Sequence, residues 1–119
     1  MTRPLLLDAF VAEPEHYRLP AEKLIAGNPR QTVWMQYRDP GGKFFVGIWE
    51  SEPGKWSVDY TEEEYFQVES GCSVVTDAAG HATRVSAGAS MVIPRGFRGT
   101  WEVLETTRKR FVIYEPDHD

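Results

Sequence analysis

The sequence predicts an all-β protein folded as a closed or nearly closed antiparallel barrel, on three observations. Eight or nine short segments with a two-residue apolar period follow one another at near-regular spacing. Glycine-bearing turns separate them, among them Asp39-Pro40-Gly41-Gly42, Pro53-Gly54, Asp77-Ala78-Ala79-Gly80 and Pro94-Arg95-Gly96. Fifteen of the 119 residues are aromatic, and rings favour the flat, half-buried surfaces that sheets provide. A chain of this length buries a sufficient core as one unit. The expected organisation is an extension, 1–28, packed on a barrel, 29–115, with a frayed tail, 116–119.

Taken in order, Glu13-Pro14-Glu15-His16 reads as loop, and Pro20-Ala21-Glu22-Lys23-Leu24-Ile25 as one helical turn opened by proline and stopped by Gly27-Asn28-Pro29. The period then switches to two. Thr32 to Arg38 is a strand, and Lys43 to Ser51 is a second with Phe45, Gly47 and Trp49 on one face and Phe44, Val46 and Ile48 on the other. Both faces are apolar, which predicts a strand packed on both sides or facing a partner chain. Lys55 to Tyr60, Tyr65 to Ser70, Cys72 to Thr76 and His81 to Ser86 follow, then Ala89 to Ile93, Thr100 to Leu104 and Lys109 to Tyr114. Gly71 and Gly88 punctuate them as turn residues.

Thirteen basic against eighteen acidic residues give a net charge of −5, which repels a phosphate backbone and argues against nucleic acid as a partner. One cysteine, Cys72, leaves no internal disulfide, and with no secretory leader in view a cytoplasmic location is expected. Leu5-Leu6-Leu7 and Phe10-Val11, interrupted by Asp8, are too short an apolar run for a membrane span. Cys72, after a turn glycine and far from any histidine in sequence, reads as a structural thiol.

Several strings resemble the small single-domain cupins grouped with ureidoglycine aminohydrolase and the ethanolamine-utilisation cupins. They are Gly47-Ile48-Trp49-Glu50, Gly54-Lys55-Trp56, Glu64-Tyr65-Phe66, the run Ile93-Pro94-Arg95-Gly96-Phe97-Arg98-Gly99-Thr100-Trp101-Glu102-Val103, and Arg108-Lys109. Glu64 followed by Gly71, then Gly88, Pro94 and Gly96, matches the glycine spacing of the two cupin motifs. The resemblance implies a jelly-roll barrel, the double-stranded β-helix of cupins, and in its aminohydrolase members a manganese site. The histidine positions of the motif fall here on Val58 and Tyr60, or on Tyr60 and Glu62 when counted from Gly54, and on Gly99; the asparagine position falls on Val103. Glu64 alone is retained. His16, His81 and His118 lie in a loop, beside a hairpin turn and in the tail, and read as solvent-facing. The expectation is therefore a cavity without metal, a divalent ion such as manganese being the alternative. Glu62 and Glu64 could share a face as an oxygen-rich pair, but Glu62-Glu63 reads rather as a solvated turn.

Matching the strand faces to the cupin barrel places Glu64, Phe66 and Val68 inward, together with Gly99, Trp101 and Val103, and Lys109, Phe111 and Ile113. A lone carboxylate and a lone ammonium are costly inside an apolar barrel, so Glu64 is expected beside Lys109 or Arg95. As catalytic candidates Glu64 would serve as acid or base, Lys109 as electrostatic partner and Tyr60 as hydroxyl donor. Trp49, Phe66, Trp101, Arg95 and Met91 are the candidate ligand-binding residues, with Gly47 and Gly99 leaving room. Trp34, Trp56 and the Phe44, Val46, Ile48 face are assigned to packing or to a homodimer interface. Three readings remain: a cupin binding a small polar metabolite, an enzyme acting on a small nitrogenous metabolite, and a structural homodimer with a vestigial cavity.

Overall fold

The computed structural model describes residues 2–9 and 12–116, without the side chain of Ala9. Phe10-Val11 and the tail beyond residue 116, with His118, lie outside the described residues. Among the described residues all strand pairs are antiparallel and join nine strands in one curled sheet.

The N-terminal region holds more strand than its sequence suggests. Pro14–Arg18 forms β1, although all five of its residues are exposed and it lacks apolar alternation. It is built by pairing with β3, Arg30–Arg38, from Pro14 opposite Trp34 to Arg18 opposite Arg30. The proline-opened turn exists as a 3₁₀ turn over Ala21–Lys23, but Leu24 and Ile25 leave it for the short strand β2, Leu24–Ala26. The region read as loop and helical turn thus supplies two sheet strands.

β4, Phe44–Ser51, pairs with β3 and carries Phe45, Gly47 and Trp49 inward. On its outer face Phe44 is exposed while Ile48 is buried. β5, Gly54–Asp59, pairs with β2. Segments expected as separate strands are continuous: β6 runs Glu63–Asp77, and β9 runs Arg98–Tyr114. β7, Ala82–Ser86, and β8, Ser90–Ile93, pair with the two ends of β6.

β9 is the centre of the sheet. Its first half pairs with β5 and its second with β4, while β6 runs beside both halves. Both long strands turn a corner midway, where the β6–β9 register shifts between Val68 and Ser73. Gly71 sits at the corner with φ +88°, and a Cβ there would lie 2.0 Å from the Thr106 carbonyl oxygen. The glycine therefore carries the strand through a bend where β6 and β9 touch backbone to backbone, rather than ending it in a turn.

The barrel interior holds Trp49, Trp56, Phe66, Val68, Val75, Val85, Ile93, Trp101, Val103 and Phe111. The Trp101 ring packs edge-on against Trp49 at 5.5 Å and tilted on Phe66 at 5.4 Å. Trp56, a packing or interface candidate from sequence, belongs to this core, edge-on to Trp49 at 6.2 Å. Cys72 is buried with a free thiol.

Candidate functional site

Strand parity sets Glu64 on β6 and Lys109 on β9 facing the same interior, and their side chains meet there. Lys109 Nζ lies 2.8 Å from Glu64 Oε2, with Glu64 4% and Lys109 5% exposed. The ammonium also stands 4.4 Å from the Trp101 ring centre, 4.5 Å from Phe66 and 4.7 Å from Trp49. Three ring faces and one carboxylate enclose the cation. Arg95, the other expected neighbour of Glu64, is elsewhere: its side chain is exposed on the turn after β8, and its backbone N–H donates to Glu63. Proline and glycine on either side fix that turn on the surface.

Both indoles of the cage are held by their N–H groups. Trp49 Nε1 donates to Gln31 Oε1 at 2.7 Å; Gln31 Nε2 donates to Ser51 Oγ, which donates in turn to the Glu52 carbonyl. Trp101 Nε1 donates to Ser73 Oγ at 3.1 Å, Ser73 shares a 2.7 Å hydrogen bond with Thr107, and Thr107 donates to the Glu105 carbonyl. Gln31 is 1% exposed, and Ser51, Ser73 and Thr107 are fully buried. These satisfied relays fix the ring planes, so the cage is preformed. None of the four stood out in the sequence, where each is an uncharged polar residue outside any motif.

Two cavity lobes reach Lys109, and one of them reaches Glu64 as well. One, about 270 Å³, is walled by Trp49, Trp56, Trp101 and Val58, with Gln31, Tyr60, Glu62 and Lys109 as its polar groups. The other, about 320 Å³, is walled by Val33, Met35, Phe111 and Ile113 and reaches Glu64 and Lys109. Tyr17 of β1 borders both lobes, as do Trp49 and Lys109. Tyr17 was legible only once its segment proved to be a strand.

The titratable groups around the pair are perturbed in one direction. The Tyr60 hydroxyl is pushed far above the ordinary phenol range by burial and by the nearby Glu64 carboxylate. Burial likewise raises the Tyr17 hydroxyl. Glu62, read from sequence as a solvated turn residue, is half-buried at the rim, and burial raises its carboxyl, with the Glu115 and Glu64 charges adding to the effect.

Two glycines do not leave the room expected of them. A Cβ on Gly47 would lie 2.5 Å from the Trp34 carbonyl oxygen and 2.8 Å from the Phe111 ring, and one on Gly99 would lie 1.9 Å from the Thr76 carbonyl oxygen. Both mark close approach rather than open space. Met91 packs on the core from β8 and borders a separate cavity with Val75 and Phe97. Six of the eight candidate site residues, Glu64, Lys109, Tyr60, Trp49, Phe66 and Trp101, are thus brought together; Arg95 and Met91 are not.

The donor set suits a cation already present in the chain. His16 is exposed, sharing hydrogen bonds with Thr32 and Arg30, and His81 is exposed beside Asp77. Among the described residues no three of His, Cys, Asp and Glu converge to hold a metal ion. No helix among them is long and apolar enough to cross a membrane.

Comparison with known proteins agrees with the fold. The EutQ-like cupin domain family matches residues 38–111, more than half of the chain. A protein of unknown function of the DUF861 family from Pseudomonas syringae pv. tomato superposes with a TM-score of 0.78 at 18% identity, covering 86% of this chain and 44% of its own. The Clostridium difficile EutQ protein gives 0.62 at 19% identity, covering 73% and 65%. A putative ethanolamine utilization protein Q from Salmonella typhimurium gives 0.65 at 14% identity, covering 89% and 98%. The chain spans less than two thirds of the length of the first two. No curated protein matches the sequence.

Proposed function

The chain belongs to the EutQ-like cupin domain family, and from that premise we propose that it binds a small polar metabolite in its aromatic-lined cavity without a metal ion. One observation carries the reading: two lobes, of about 270 and 320 Å³, meet the buried Lys109, the larger reaching its partner Glu64 too, and the aromatic surround of that pair is already fixed. Each lobe has the share of roughly ten waters. Burying an ion pair is a poor way to gain stability. Placing it between two cavities gives each a charged, oriented hydrogen-bonding floor. The lobes also weigh against a vestigial, side-chain-filled barrel.

The residues fit a divalent metal poorly. Glu64, the one motif ligand retained, is already engaged by an ammonium at 2.8 Å, and among the described residues no group of His, Cys, Asp and Glu joins it to complete a donor set. Lys109 holds the positive charge that an ion would otherwise bring.

An enzymatic form of the same reading draws on the contact between Tyr60 and Glu64. There Glu64 acts as acid or base, Lys109 holds developing negative charge and Tyr60 donates a hydrogen bond, on a small nitrogenous metabolite of the ureidoglycine type. A thermal-shift screen of small amines, ureides, amino acids and sugars tests both forms, since a ligand of the folded state raises apparent stability. A hit whose shift disappears when Trp49 or Trp101 is replaced by leucine supports binding in this cavity. Turnover of a hit, abolished in Glu64→Gln, would establish the enzymatic form. A screen in which no compound moves the midpoint overturns the proposal.

A further inference from the structure

The charges around the smaller lobe do not balance. Glu64 is compensated by Lys109 at 2.8 Å, but Glu62 at the rim has no Lys, Arg or His partner within ion-pair distance among the described residues. Its surroundings add negative charge, since Glu115 and Glu64 both act on it. The lobe behind it is walled by Trp49, Trp56, Tyr60 and Trp101. Aromatic faces carry negative potential, so an anion entering here meets repulsion from the rings and the rim, and the one cation lining the lobe, Lys109, is already paired with Glu64. A neutral molecule gains only the burial of its apolar surface. A cation gains that burial, the ring faces and the carboxylate.

The molecule already contains a demonstration of the cation's fit. Two of the four rings, Trp49 and Trp101, hold the Lys109 ammonium at 4.7 and 4.4 Å, so ring faces in this barrel accept a positive charge. With that ammonium neutralised by Glu64, the uncompensated charge facing the lobe is the one on Glu62. We propose that this lobe takes a small organic cation, a protonated amine or quaternary ammonium group, with Glu62 as counter-charge and the indole and phenol faces as its walls. This rests on the reading of the cavity as a small-molecule site and narrows it to one charge class. The proton affinity of the Glu62 carboxyl is raised first by its burial, against the backbone N–H groups of Glu62 and Thr61, which fits a carboxylate that has hydrogen bonds but no counter-charge of its own.

The test uses the intact protein in isothermal titration at fixed ionic strength with three probes of nearly equal shape: choline, its neutral carbon isostere 3,3-dimethylbutan-1-ol, and the anion 3,3-dimethylbutanoate. Choline is expected to bind roughly tenfold or more tighter than the alcohol, and the carboxylate not at all. Glu62→Gln should weaken choline by roughly fivefold to thirtyfold and leave the alcohol unchanged. The midpoint of that variant, measured alongside, shows that it is folded. Alcohol or carboxylate binding as tightly as choline overturns the cation assignment while leaving a small-molecule cavity in place. So does a choline affinity indifferent to Glu62→Gln. Silence from all three probes, together with a silent metabolite screen, would remove the cavity reading itself.

Discussion

Replacing Lys109 by methionine separates the two roles of the buried pair. The thioether keeps the stem of the lysine and its contacts with the rings of Trp49, Phe66 and Trp101, but it leaves Glu64, 4% exposed, with no counter-charge. Removing one partner of a buried pair costs about 3–5 kcal/mol. For 119 residues the unfolding entropy at the midpoint is roughly 0.25 kcal/mol per degree, so Lys109→Met should lower Tm by roughly 12–20 °C. The double variant Glu64→Gln/Lys109→Met removes both charges and should recover most of that loss, ending within about 1 kcal/mol of the parent or above it. Thermal and urea unfolding of the parent, the two single variants and the double variant give the coupling energy directly. A Lys109→Met midpoint within two or three degrees of the parent would refute the reasoning, as would strictly additive losses in the double variant. Either result would mean that the carboxylate does not depend on the ammonium.

Other outcomes follow from the same geometry. Glu62 has a carboxyl raised in the folded state, so the fold binds its proton more tightly than the unfolded chain does, and its contribution to stability falls as pH rises from the ordinary carboxylate pKa through the raised one. Glu62→Gln should therefore raise Tm at neutral pH, and the gain should shrink as the pH is lowered toward about 5, in melts recorded across that range. Alkaline titration followed in the near ultraviolet should show tyrosine that ionises only on unfolding, and Tyr60→Phe should reduce that fraction, because Tyr60 is held neutral by burial and by Glu64. Gly47→Ala, whose methyl would meet the Trp34 carbonyl and the Phe111 ring, should cost about 1–3 kcal/mol in chemical unfolding. Metal analysis of purified protein should find no stoichiometric manganese, iron, nickel or zinc, and chelator should leave Tm unchanged; a stoichiometric ion would overturn the proposed metal-free site.

Much of the site was legible because strand parity carries so much information. Once β6 and β9 are strands, positions 64, 66 and 68 must share a face, as must 101, 103, 109 and 111, and the cost of isolated charge joins the only acid and ammonium among them. Parity says nothing of where a turn side chain points, which is why Arg95 proved exposed. A missing side chain reads equally well as space or as contact, and only the backbone of Trp34 and of Thr76 decided for contact at Gly47 and Gly99. β1 carries no alternation of its own, being exposed throughout. Its pairing with β3 is what makes it a strand and brings Tyr17 to the mouth. Gly71 looked like the end of a strand because a left-handed glycine suits a turn and a corner alike.

The position of β9 in the chain bears on how the molecule comes to be folded. Among the described residues it is the last strand in order, yet β4, β5 and much of β6 find their partner in it. Until residues 98–114 leave the ribosome these strands have open edges and no middle, and most of their contacts close long loops. Folding therefore waits for the last strand to insert. In that interval the nascent chain offers unpaired hydrophobic edges to its neighbours, so this barrel should depend on chaperone protection during synthesis more than its small size suggests.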